Sequence, residues 1–222
     1  MTNAQSHIRT DEAQDVAGSV RHVLRCWDLA TDDPHVWKWI ILALHSALQG
    51  ACVCHLVTSA SPLGVVTKRN TKEWLEYFEE SRTNPSLKQP KTVMMNLPEL
   101  LKAVRKENSA GRPGAGGKVK VSEPELQILT HLHENLRNQF THFEPQGWSI
   151  EVSGMAKISH LIARIINEIF DCGSAFMHLS PKKQDLLQVD LKALSEVQQP
   201  PNSNCENEDD DSTLSDWFSS LK

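Results

Sequence analysis

Between Lys38 and Lys68 the chain carries no Asp, Glu, Lys or Arg, and Ile40 to Val57 is apolar along most of its length. Such a segment has almost no polar face to turn toward water. It must therefore be enclosed on nearly every side, by protein or by lipid. His45, Ser46, Gln49 and His55 interrupt it, and no basic cluster closely flanks it. These interruptions favour a helix buried at the centre of a soluble protein over a membrane span. A buried central helix in turn requires several amphipathic helices around it.

The flanking sequence supplies them. Val16, Val20, Val23, Leu24 and Trp27 recur at helical spacing and predict a helix over about Asp15 to Leu29. Thr31, Asp32, Asp33 and Pro34 then make a turn and start the apolar helix. Trp74, Leu75 and Phe78 mark a short helix within Thr71 to Ser81, and Asn96 caps another over Pro98 to Val104. Ser122 and Glu125 form a capping-box pattern, which opens a helix with Leu126, Leu129, Leu132, Leu136 and Phe140 on one side. That helix is expected to run unbroken to about His142, before Pro145 and Gly147. Ile158, Leu161, Ile162, Ile165, Ile166 and Ile169 define a second long helix over Gly154 to Asp171, and the short link favours an antiparallel pair. Leu186 to Val197 predicts a weaker last helix.

Alternation of apolar and polar residues is rare, and the chain has one tyrosine, so a sheet is not expected. The predicted fold class is all-α, a helical bundle with a long C-terminal helical pair and extended loops near residues 82–96 and 107–121. Residues 1–13 read as a flexible N-terminus, 14–197 as the helical domain, and 198–222 as an acidic disordered tail. The tail holds Glu206, Glu208, Asp209, Asp210, Asp211 and Asp216 against Lys222, which accounts for the whole formal charge of -5. The body is thus neutral, without the broad basic surface of a strong duplex binder, although a small positive cleft could engage short RNA. Leu214-Ser215-Asp216-Trp217-Phe218 in the tail reads more simply as incidental aromatics than as a docking segment.

Five cysteines, an odd number, and a polar start without an apolar signal run point to a reducing, cytoplasmic setting. Ser109 to Lys118 is rich in glycine but is no phosphate loop: Arg112 stands where Walker A needs glycine, and Val119 where it needs serine or threonine. Cys52, Cys54 and His55 point in divergent directions from one helix and read as buried soft residues. His131 and His133 have no metal register with each other. Neither a metal nor a cofactor is expected.

Arg137-Asn138-Gln139-Phe140-Thr141-His142 is the run with complementary chemistry. Arginine is a permanent cation whose fork matches phosphate oxygens, histidine exchanges protons near neutral pH, and Asn138 lies one turn before His142. Arg137 and His142 are five residues apart, roughly 140° around an ideal helix. One helix does not focus them on one atom, whereas two copies meeting across a dimer would. The plainer reading is a pair of cations placed favourably at a helix C-terminus.

This run, with the apolar setting Leu136 to Phe143, resembles the signature of the HEPN superfamily: an arginine, a polar residue, then a histidine after four to six intervening positions. The helical arrangement over about residues 35–172 is similar too, and a bacterial member is the natural reading. The resemblance implies a homodimeric, metal-independent endoribonuclease, acting as a toxin or antiviral effector beside an antitoxin or regulatory protein. It implies that Arg137 holds the scissile phosphate, Asn138 positions it or the histidine, and His142 handles protons as the RNA 2'-hydroxyl attacks. The products would be a 2',3'-cyclic phosphate and a 5'-hydroxyl. The alternative is a non-catalytic helical interaction or regulatory module, which some members of the superfamily are. Trp148 is expected to be structural rather than a base-stacking ring.

Overall fold

A computed structural model of the chain describes residues 7–8, 10–57, 62–110, 118–142, 147 and 149–200. It shows α1 (Glu12–Trp27), α2 (Trp37–Leu56), α3 (Lys68–Glu80), α4 (Leu97–Val104), α5 (Glu123–His131), a π-helical turn (Leu132–Arg137), α6 (Asn138–Thr141), α7 (Met155–Asp171) and α8 (Pro181–Leu194). The fold is an all-α, largely helical bundle. Among the described residues the one piece of extended pairing is an isolated bridge between Val66 and Met94.

The charge-free segment forms α2, the centre of the bundle. It packs against α1, α4, α7 and the π turn. Ile40, Ile41, Leu44, Ala47, Leu48, Ala51 and Cys52 are wholly buried. The helix is long and apolar enough to cross a membrane by length and composition, yet protein covers 67% of that stretch. α1 and α2 approach closely at Gly50, where a β-carbon would stand 2.8 Å from the Val16 methyl Cγ2. Cys52, Cys54 and His55 are core residues, as their place in this helix suggested. Burial pushes the Cys52 thiol up to about 12, with the Cys54 charge adding, and burial with nearby carboxylates does the same to Cys54.

Both capping boxes form. Glu125 N–H donates to Ser122 Oγ at 3.4 Å, and Ser122 N–H donates to Glu125 Oε2 at 2.7 Å. The Asn96–Glu99 pair is equivalent, at 3.0 Å in each direction. Arg164 of α7 extends the α5 cap by donating to Glu125 Oε1 at 2.9 Å and to the Lys120 carbonyl at 2.9 Å. The first turn of α5 therefore lies beside the second half of α7, as in an antiparallel pair. Most of the buried face of α7 is spent on α2 and α8, however, with fewer contacts to α5.

Four expected helix extents need correction. The long helix from Ser122 is not one regular α-helix: it passes through the π turn at Leu132–Arg137 before its last four residues. The first helix starts at Glu12 rather than near Asp15, because Asp11 caps it by accepting from Gln14 N–H at 2.8 Å. Ala13 is consequently buried. The last helix begins at Pro181, five residues ahead of the expected Leu186, and the third at Lys68 behind a Thr67 cap. Beyond the last helix, Trp27 Nε1 donates to the Gln198 carbonyl at 2.8 Å and Ala156 N–H donates to Gln199 Oε1 at 3.2 Å.

The two long connections are partly anchored. Asn70 Nδ2 donates to the Lys91 carbonyl at 2.9 Å, and Val93 N–H donates to Asn70 Oδ1 at 2.8 Å, which ties the segment after α3 back to that helix. Val119 and Val121 enter the core at the end of the second connection. The Gly-rich residues 111–117, Phe143, Pro145, Trp148 and the acidic stretch from Pro201 lie outside the described residues.

Candidate functional site

The apolar faces of α5 and of the π turn seat this strand of helix on the core through Leu126, Leu129, Leu132 and Leu136. The turn carries His133 and Arg137 on its flank, and α6 ends it. Thr141 helps close that end, its hydroxyl donating to the Arg137 carbonyl at 3.1 Å. His142 N–H donates to the Asn138 carbonyl at 2.8 Å, and the His142 backbone then leaves helical geometry at φ -121°.

Of the three residues singled out by sequence, Arg137 and Asn138 are joined. Arg137 Nη1 donates to Asn138 Oδ1 at 2.9 Å, and both side chains are half-buried. This bond fixes one arm of the guanidinium and leaves its other N–H donors for further partners. Asn138 meets His142 through the backbone alone. The His142 ring is exposed at the helix end and makes no hydrogen bond to a described side chain.

Arg137 and Thr141 form one wall of an open cavity of about 620 Å³. Its other walls come from α2, through Leu42, His45, Ser46, Gln49, Gly50 and Val53, and from the start of α1, through Asp11, Glu12 and Asp15. Asp15 is tied to α2, accepting from the Ser46 hydroxyl at 2.8 Å. Both oxygens of Asp11 accept from Gln14, bonds that hold its carboxyl below the usual range. His142 is not among the lining residues, so one chain separates the arginine and histidine of the motif, as the helical angle between them implied.

Sequence reasoning did not find the neighbours of Arg137. His45, 6% exposed on α2, lies 2.8 Å from His133, Nε2 to Nδ1, with the two rings stacked at 18°. Burial, followed by electrostatic opposition from the neighbouring His133 and Arg137, pushes His45 down to about 3. Burial and then Arg137 lower His133 as well, against an opposing pull from Glu134. Both rings are therefore neutral at pH 7, and one N–H is shared between the facing nitrogens. The available signal was His45 itself, a polar residue inside an otherwise apolar helix.

Among the described residues no group of three or more His, Cys, Asp or Glu is placed to hold a metal ion. Comparison with known protein families, curated proteins and solved structures finds no match to this chain.

Proposed function

We propose that the chain is a metal-independent endoribonuclease of the HEPN kind, working as a homodimer in the cytoplasm. The observation that carries this reading is the Arg137 guanidinium, anchored to Asn138 on one arm and facing an open cavity on a helix end that also bears an exposed His142. In this reading Arg137 takes the scissile phosphate through its remaining donors, and Asn138 holds the fork in place. His142 of a second copy completes the groove and exchanges a proton with the reacting oxygens. The nucleophile is the neighbouring 2'-hydroxyl of the RNA itself, so the protein need supply only position, proton transfer and charge. A toxin or antiviral effector, restrained by an antitoxin or regulatory protein, is the biological role that suits such an activity.

A second reading has its own observation. Asp11, Glu12 and Asp15 line the same cavity as Arg137, and carboxylates there oppose a phosphate. A non-catalytic interaction module would use that mixed-charge hollow to receive a polar segment of a partner. The two readings part in one assay. The ribonuclease cleaves single-stranded RNA in EDTA and leaves 2',3'-cyclic phosphate ends, and H142A lowers the rate by about 10²–10⁴-fold. A folded H142A protein that cleaves at the wild-type rate rejects the ribonuclease assignment.

A further inference from the structure

The motif assigns proton transfer to His142, yet His133 of the same chain stands one turn before Arg137 and bonds to His45, which lines the Arg137 cavity. His133 and Arg137 occupy positions four apart on the π turn, so they rise on one flank, a turn apart. His133 sits against α2 through a 2.8 Å bond from its Nδ1 to Nε2 of His45. His45 is held in turn by the core around α2, where it is almost fully buried. A histidine with one nitrogen engaged by a fixed, buried partner has its ring orientation set, and offers the other nitrogen outward. His133 is half-exposed, as that outward role requires.

We propose that His133 is the proton acceptor of the Arg137 site, with its ring set by His45. His133 Nδ1–H donates to His45 Nε2, which leaves the lone pair of His133 Nε2 free. The charged groups acting on His133 from its own turn are Arg137, which opposes protonation, and Glu134, which favours it. The packed α2 contributes His45, α5 contributes the neighbouring His131, and α6 contributes no ionisable side chain.

The consequence is a coupling. Burial lowers His133, and while Arg137 is unpaired its positive charge adds to that effect and keeps the ring ready to accept. An anion placed on the guanidinium cancels that charge and makes His133 more basic. By linkage, a protonated His133 binds the anion more tightly in return. The chemistry rests on the ribonuclease reading. As the 2'-oxygen forms its bond to phosphorus, His133 Nε2 takes the hydroxyl proton. As the bond from phosphorus to the 5'-oxygen breaks, protonated His142 of the other copy gives that oxygen a proton. Negative charge on the phosphoryl oxygens grows beside Arg137 at the moment when His133 must accept. This division of labour explains how one site could run both proton transfers with His133 and His142 on different sides of the reacting phosphate.

The test uses the full-length protein labelled with ¹⁵N-histidine, titrated by NMR with inorganic phosphate and, as control, sodium chloride of equal ionic strength. Neutral His133 is expected to carry its proton on Nδ1, and phosphate is expected to raise the pH at which it titrates. R137A should abolish the phosphate effect while leaving the His45–His133 tautomer pattern in place. A proton on His133 Nε2 at neutral pH, or a His133 titration that saturating phosphate leaves unmoved, overturns the proposal. RNA cleavage supplies the second arm. H133N keeps an amide for His45 but cannot accept a proton, and should lower kcat about 10²–10⁴-fold with KM nearly unchanged. H45Q, whose amide oxygen can accept from His133 Nδ1–H in place of Nε2, should retain most of kcat. An active enzyme in which H133N keeps its kcat also overturns the assignment. If the wild-type protein cleaves no RNA while phosphate shifts His133 in an Arg137-dependent way, the coupling stands and the ribonuclease reading falls.

Discussion

Replacing Gly50 by alanine sets two effects of known sign against each other at a close approach of α1 and α2. Inside a helix alanine is favoured over glycine by about 1 kcal/mol. The new methyl would lie 2.8 Å from Val16 Cγ2 and 3.5 Å from the Glu12 carbonyl oxygen. Val16 is wholly buried, and a β-branched side chain in a helix has one strongly preferred rotamer, so it cannot swing aside. The helices must part instead, and crowding of this kind costs roughly 1–3 kcal/mol. G50A should therefore leave stability unchanged or lower it by up to about 2 kcal/mol. In a V16A background the obstructing methyl is gone, and the same substitution should stabilise by up to about 1 kcal/mol. Urea unfolding of the four proteins of this double-mutant cycle measures the reversal. If G50A raises stability by the full helical increment while Val16 is present, the close packing described for α1 and α2 is incorrect.

Removing the Ser122 hydroxyl with S122A should cost about 0.5–2 kcal/mol, measured by urea unfolding, because it deletes the cap of α5. Burial would raise the Glu125 carboxyl, but its bonds from Ser122 and Arg164 outweigh that and lower it. Its stabilising effect is thus present above the unfolded carboxylate range and lost as the pH falls through the folded value, a dependence that E125Q should weaken. His45 gives a second pH signature with the same sign. Its folded value is pushed from the ordinary 6.5 down to about 3, so the unfolded chain takes up a proton first on acidification. Stability should fall by up to about 1.4 kcal/mol per pH unit within that window, and H45Q should remove one proton's share of the slope. Equal slopes for H45Q and the wild-type protein would contradict the buried neutral state of His45.

What could be read from the sequence was local. Ser122 with Glu125, and Asn96 as a cap, announce their helices because such start signals are complete within four residues. The isoleucine stripe of α7 and the charge-free run of α2 each carry their burial in their own spacing. The start of α1 was misplaced because its cap, Asp11, precedes a polar turn with few apolar markers. That of α8 was misplaced although Ser180-Pro181 is an ordinary start signal, since the apolar residues of that helix come later. The π turn has no spacing signal, because regular helical periodicity fits Leu129, Leu132 and Leu136 equally well. The site was legible only in part for the same reason. Arg137 and Asn138 are adjacent in the chain, and their bond follows from proximity, whereas His45 and His133 are 88 residues apart and meet only through the packing of the π turn on α2.

The central claim, that Arg137 of one chain and His142 of another act on one phosphate, is tested most directly by mixing two inactive variants. R137A and H142A should each fail to cleave single-stranded RNA in EDTA while remaining folded. Unfolded and refolded together, they should form mixed dimers in which an intact Arg137 faces an intact His142, and part of the cleavage activity should return. An active wild-type protein whose mixed variants stay inactive would place the reaction within a single chain, and a wild-type protein with no RNA cleavage would contradict the account outright.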